Sequence, residues 1–224
     1  MNKTIAIIPA RGGSKRLPNK NLLLLNGIPL LGHSILYALE NKKSIDEIYV
    51  STDDAKIKEI ALQFGAKVID RPAELSGDYE PTVSALKHVL QSIDFAVENV
   101  ILLQPTNPLR PLNLLVDCFE KFKSLNCDSL FTVSQNKHKL GKVKDNLFLP
   151  FNYTIGQRSQ DLEPLFFENG LLYITKASEI FKDKIVTETV FPFLVNHVFA
   201  TVDIDTKDDL EYAEFLLLKF KIVN

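Results

Sequence analysis

The run IAIIPA, residues 5–10, carries no charged position, which is the pattern of a strand buried on both faces of a parallel sheet. It breaks at Gly12-Gly13. Beyond it the period lengthens. Within 29–42, Leu30, Leu31, Ile35, Ala38 and Leu39 share one helical face, with Pro29 at a first-turn position. Residues 45–51 predict a second strand. Asp53 or Asp54 then stands where it can cap a helix over 55–64, and Gly65 ends that helix. Residues 66–70 predict a third strand. Strand and helix thus alternate through about 70 residues, the signature of a parallel sheet with right-handed crossovers.

A polar loop over 71–82 interrupts the alternation, and its length marks it as functional or mobile. A helix over 82–93 and a strand over 99–103 come next. That strand runs into QPTNPLRP, 104–111, where three prolines stiffen the loop. A helix over 113–125 and a strand over 129–134 continue the pattern. From 135 to 165 the helical period is lost, and short apolar islands at 147–151 and 153–155 alternate with polar turns. We expect an excursion from the main sheet there, a hairpin that meets another subunit. A turn and a strand within 166–176, a last strand over 198–204 and a helix over 207–220 complete the pattern.

The composition narrows the function classes. At 224 residues, with 46% hydrophobic and 24% charged positions, the chain has room for one large domain or a core with an appendage. A net charge of -2 argues against a general nucleic-acid binder, which needs a broad basic face. No apolar run approaches the roughly 20 residues that span a bilayer, and the N-terminal run is too short for a signal peptide. Cys118 and Cys127 form no C-x-x-C and have no clustered histidines, so they predict reduced thiols and a cytoplasmic protein rather than a zinc site.

The basic charge is local. Arg11, Lys15, Arg16 and Lys20 surround Gly12, Gly13 and Ser14 directly after the first strand, with Lys3 just before it. Glycines let a backbone turn tightly and aim N–H groups at an anion, and the cations supply charge, so we expect a phosphate cradle. Neither G-x-G-x-x-G nor the Walker A pattern is present. The second constellation is VDIDT, 202–206. Two residues apart on a strand, Asp203 and Asp205 project to one side and suit a magnesium ion completed by water and phosphate. Asp205 or Thr206 could equally cap the helix over 207–220.

In open parallel sheets, ligands sit outside the carboxyl ends of the strands. RGGSKR, the RPAEL region with Arg71, QPTNPLR with Gln104 and Arg110, and DIDT all fall on that edge. Taken singly, Arg71 and Arg110 would pass for surface arginines. His33, His88, His138 and His197 are scattered, and Ser14 has no nearby base, so acyl-serine chemistry is unsupported.

IPARGGSKRLPNKN, RPAEL, LLQPTNPLR, ENGLLYI and VDIDT, in that order, resemble the acylneuraminate cytidylyltransferases across residues 5–206. These enzymes join CTP and a nonulosonic acid to give a CMP-sugar and pyrophosphate. The resemblance implies an α/β, Rossmann-like three-layer fold with a mostly parallel central sheet and a small dimerisation extension. It further implies a single nucleotidyltransferase domain over 1–224, with 135–165 as the dimerisation excursion of a homodimer.

The roles it implies are these. Arg11, Ser14 and Lys15 hold the triphosphate with Gly12 and Gly13, and Lys20 neutralises charge at the α-phosphate. Asn21, Arg71 and Thr82 belong to the cytidine side. Gln104 contacts the sugar, and Arg158 reaches the acceptor carboxylate across a dimer interface. Asp203 and Asp205 bind magnesium. Kdo cytidylyltransferases share the fold, but they usually carry Thr-Arg where Lys15-Arg16 stand and Pro where Asn21 stands. Pseudaminic acid enzymes tend to carry an aspartate-alanine-glycine run where this chain has Glu168-Asn169-Gly170.

Overall fold

The first apolar run becomes the central strand β1 (Lys3–Pro9), buried on both faces as its unbroken hydrophobicity requires. The computed structural model describes residues 3–220. After β1 come a short pair, β2 (Leu24–Leu25) and β3 (Ile28–Pro29), then α1 (Leu30–Glu40), β4 (Glu47–Thr52), α2 (Ala55–Gln63) and β5 (Lys67–Asp70). The middle of the chain forms α3 (Thr82–Ser92), β6 (Val97–Leu102), α4 (Leu114–Leu125) and β7 (Ser129–Asn136). A hairpin, β8 (Gly141–Lys144) with β9 (Leu147–Pro150), precedes β10 (Leu165–Lys176), α5 (Ala177–Phe181), β11 (Phe191–Leu194) and α6 (Lys207–Phe220).

Seven strands form the central sheet in the order β11-β7-β10-β6-β1-β4-β5. β1 pairs in parallel with β4, with Ile5 opposite Glu47, and in parallel with β6. Within this sheet β10 runs antiparallel to both β6 and β7, while β11 is parallel to β7. Helices cover both faces. Ala6 and Ile8 pack with Leu31 and Ile35 of α1, Ile57 of α2, and Leu115 and Phe119 of α4. Ile5 and Ile7 meet Leu86 and Val89 of α3 and Ile180 of α5 on the other face. A third apolar cluster joins Leu17, Leu25, Phe199, Val202 and Ile204 to α6.

Chain order reverses at β1. The first crossovers step from β1 towards β5, and β6 then lies on the opposite side of β1. The loops after β1 and β6 therefore diverge and leave a crevice, where open α/β sheets take ligands. α4 stays on the α1 face although the chain now steps the other way, with the Tyr37 hydroxyl accepting from Leu115 N at 2.9 Å. This crossover therefore has the opposite hand to the first, against the right-handed expectation.

Two expectations need correction. The stretch 198–204 is no strand: Val198–Thr201 is a 3-10 turn, and residues 202–204 are extended backbone held to Thr106 O by Ile204 N at 2.8 Å. Alternation survives without a ladder, because Val202 and Ile204 are buried while Asp203 and Asp205 face the open side. β11 and α5 are absent from the expected elements, since neither is long enough to show a period. The excursion does contain a hairpin, turned by Asp145 and Asn146, both in the left-handed region.

Candidate active site

A cleft of about 580 Å³ opens at the β1/β6 crevice. Of the residues singled out in the sequence, Arg11, Ser14, Lys15, Lys20, Asn21, Arg71, Thr82, Gln104 and Asp205 line it. Gly12 and Gly13 do not, and Asp203 and Arg158 are also outside the lining.

Gly12 has a packing role that the sequence does not show. Gly12 N–H donates to Asp53 Oδ1 at 2.9 Å and Ser14 N–H to Gly12 O at 2.9 Å, so these backbone donors are already engaged. Asp54 caps α2 by accepting from Lys56 N and Ile57 N. A Cβ on Gly12 would lie 2.8 Å from Asp54 Cβ, so glycine is needed there for the cap to pack against the loop. At Gly13 a Cβ meets nothing within 4 Å. The charge of the cradle comes from its side chains.

Four cations and two carboxylates dominate it. Asp205 accepts from Lys20 Nζ at 2.8 Å and Arg16 Nη1 at 2.5 Å. Asp78, from the loop between β5 and α3, pairs with Lys15 and with Arg11 Nη2 at 3.1 Å. Arg11 also donates to Gly77 O at 2.7 Å. Each carboxylate therefore bridges one lysine and one arginine. Lys20 is the enclosed cation, its side chain 15% exposed, whereas that of Lys15 is 81% exposed. Asn21 is buried, and its Nδ2 donates to Arg11 O at 2.9 Å, which fixes the loop from within.

Arg71 and Arg110 are buried and not surface residues. Arg71 donates to Ser51 Oγ at 3.0 Å and Ser51 O at 2.6 Å, tying the end of β5 to β4 at the cleft wall. Burial, more than any neighbouring charge, lowers its pKa. Arg110 lies behind the cleft, with Nε on Leu171 O at 2.7 Å and Nη2 on Gln104 O at 2.9 Å.

Thr206 and Asp209 resolve which residue caps α6. Asp209 N–H donates to Thr206 Oγ1 at 3.3 Å, and Thr206 N–H to Asp209 Oδ2 at 2.8 Å. This reciprocal cap leaves the Asp205 carboxylate to the cleft. Burial raises the Asp203 carboxyl first, and the Asp205 charge adds to it, opposed by a Thr106 hydrogen bond and by Lys20. Among the described residues, no group of three or more His, Cys, Asp or Glu could hold a metal on its own. Two mutually repelling hard-oxygen donors do suit magnesium, provided water and phosphate complete the shell.

Within the LLQPTNPLR and ENGLLYI motifs, several residues outside the cleft lining have structural roles that the sequence does not assign. Asn107 is buried and donates to Asn169 O at 3.2 Å and Val202 O at 2.9 Å, clasping the β6 loop, the β10 bulge and the DIDT segment together. Gly170, at φ +75°, leaves room for it, since a Cβ there would meet Asn107 Oδ1 at 2.7 Å. The Tyr173 hydroxyl donates to Glu168, and burial followed by that carboxylate raises its pKa. A lone Asn or Tyr has no spacing to read; what joins them is β-sheet register. Arg158 is exposed and paired with Asp161 at 2.7 Å, so within one chain it reaches no substrate residue named above.

The family model described as Cytidylyltransferase matches residues 5–222. The pseudaminic acid cytidylyltransferase of Campylobacter jejuni is 33% identical over 223 residues, covering 96% of each chain. The CMP-N,N'-diacetyllegionaminic acid synthase of Legionella pneumophila is 35% identical over 226 residues, again 96% of each. Among solved structures, CMP:2-keto-3-deoxy-manno-octonic acid synthetase complexed with CTP superposes with a TM-score of 0.75 at 20% identity, covering 98% of this chain and 100% of that one. At that identity the likeness concerns the fold, a mostly parallel sheet between helical layers.

Proposed function

We propose, since this chain belongs to the cytidylyltransferase family, that it joins CTP to a nonulosonic acid of the N-acetylneuraminic or legionaminic type, releasing pyrophosphate. The observation that carries the proposal is the convergence of Arg11, Lys15, Arg16 and Lys20 with Asp205 at the crevice where the chain reverses across the sheet. Glu168-Asn169-Gly170 is the feature that favours these acids over pseudaminic acid.

The anomeric hydroxyl attacks the α-phosphorus in line, and pyrophosphate leaves. Transfers of this kind depend on positioning and on neutralising charge as it develops. Lys20, enclosed and rigidly mounted on a 3-10 turn, is suited to the α-phosphate. Lys15, the most exposed of the four cations, and Arg11, which shares Asp78 with it, suit the outer phosphates. Arg71, Asn21 and Thr82 form the cytidine side, and Gln104 faces the acceptor. Asp203 and Asp205 would hold magnesium, which when bound supplies positive charge to the phosphates. Asp205 is now paired with Lys20 and Arg16, and with its charge taken up by a cation both side chains would be available to phosphate.

The hairpin belongs to the same proposal. A two-stranded ribbon has no core of its own, yet Val143, Leu147, Phe148, Leu149 and Phe151 are all exposed on this arm or beside it. We assign its occupant as a second copy of the chain, which would carry Arg158 to the neighbouring cleft. The double variant Val143→Asp with Phe148→Asp should halve the mass measured by light scattering and lower activity sharply. A wild-type mass of one chain would refute the assignment. Reduced Cys118 and Cys127 fit a cytoplasmic location, and no described helix is long and apolar enough to cross a membrane.

The deciding experiment is pyrophosphate release from CTP with a panel of nonulosonic acids, with and without magnesium. Release is expected with N-acetylneuraminic or legionaminic acid and only with metal. Release with Kdo alone would overturn the acceptor assignment. No release with any acceptor would leave a nucleotide-binding module.

A further inference from the structure

The loop 76–80 carries a residue that nothing in the mechanism above employs. Asp78 sits over the outer half of the cradle, where its carboxylate holds Lys15 and Arg11 together. Arg11 strengthens the closure by donating to Gly77 O at 2.7 Å, so loop and cradle are joined through side chain and backbone. Asp78 bridges Lys15, the most exposed of the four cations, and Arg11, whereas Lys20, the most enclosed, belongs to Asp205 with Arg16. Lys15 above all, with Arg11, holds the Asp78 carboxyl below the usual range, so the carboxylate stays charged at neutral pH.

We propose that Asp78 is a specificity-determining residue that competes with the outer phosphates for Lys15 and Arg11, so that the cradle opens to polyphosphates and recloses when pyrophosphate leaves. This rests on the nucleotide reading of the cleft. A carboxylate already paired with two cations yields only to a ligand that offers more negative charge to the same two groups. A triphosphate does so. A nucleoside monophosphate, which ends at the Lys20 side, does not reach them. Asp78 therefore lowers polyphosphate affinity while leaving monophosphate affinity alone, and it shortens the residence of the pyrophosphate product.

The test is calorimetric titration of wild type and Asp78→Asn with inorganic tripolyphosphate, CTP and CMP, without metal and with magnesium. Exposed ion pairs are individually weak, so the expected effect is a roughly threefold to tenfold tighter binding of tripolyphosphate and CTP by the variant. CMP affinity should change by less than about twofold, because its phosphate lies away from the exposed pairs Asp78 makes. Inhibition of turnover by pyrophosphate should strengthen in the same proportion.

A second measurement reads the loop directly. The chain has no tryptophan and Tyr79 is fully exposed beside Asp78, so Tyr79→Trp provides a single emission reporter. Tripolyphosphate should shift its fluorescence when Asp78 is present, and Asp78→Asn should already show the shifted signal without ligand. Unchanged or weaker tripolyphosphate binding by Asp78→Asn would overturn the proposal, as would weakening seen only with magnesium, which would make Asp78 a metal-side group. The tripolyphosphate arm reads Asp78 whether or not CTP binds. Failure of CTP to bind wild type, with tripolyphosphate still responding, would count against the nucleotide reading alone.

Discussion

Replacing Lys20 with alanine is expected to lower turnover by roughly 10²-fold or more, and Asp205→Asn should do the same. The reason is where charge develops. In an in-line transfer the reacting phosphorus and its oxygens need a fixed positive neighbour, and an enclosed cation is worth more there than a solvated one. Lys20 has the most enclosed side chain among the four cradle cations, and its 2.8 Å pair with Asp205 fixes it at the inner end. Lys15→Ala, by contrast, removes a solvated outer contact and should chiefly raise the KM for CTP. Steady-state pyrophosphate release at saturating CTP separates the two. Near-normal turnover in both Lys20→Ala and Asp205→Asn, with the fold intact, would refute the mechanism.

The largest effect on stability is expected at Arg110. Burial lowers its pKa to about 10, so it remains charged at neutral pH inside the protein. What retains it is hydrogen bonding: Nε to Leu171 O, Nη2 to Gln104 O and Nη1 to Ser34 Oγ at 3.1 Å, with the Tyr37 ring 5.5 Å away. Arg110→Ala opens a cavity and leaves buried carbonyl groups without their donor, at a cost of about 3 kcal/mol. For a chain of this size that corresponds to a fall in Tm of roughly 6–12 °C. Arg110→Met, which keeps much of the volume and removes the burial cost of the charge, should lose less. The same change frees Gln104, so KM for the acceptor should rise in both variants. A Tm of Arg110→Ala within about a degree of wild type would contradict this account.

How much could be read in advance depended on the range of the interaction. The β1 run, the α1 stripe and the helix over 207–220 are local periodicities, and each appears close to where it was expected. β11 and α5 are too short for a period, and only pairing with β7 and packing under β6 make them elements. VDIDT illustrates both sides. Its alternation correctly turns Asp203 and Asp205 outward, but no ladder forms, because the segment lies against the β6 loop rather than a strand edge. Arg71 and Arg110 could not be told from surface residues, since burial of a guanidinium depends on partners 20 and 61 positions away.

By itself the sequence determined that a parallel sheet would form, that basic residues would follow its first strand, and that an acidic pair would precede its last helix. Those features depend on residues adjacent or a helical turn apart, where chain connectivity enforces the contact. Only the tertiary structure decided what the cradle is. Gly12 makes room for a helix cap, the backbone donors of Gly12 and Ser14 are already used, and the anion-facing charge comes from side chains. It also placed Asp78 opposite Lys15 and Asp205 opposite Lys20, across 63 and 185 positions of chain. No period connects such distances. The order of strands in the sheet does, by bringing the loops after β1, β5 and β6 to one edge, where the β6 loop in turn holds the DIDT segment.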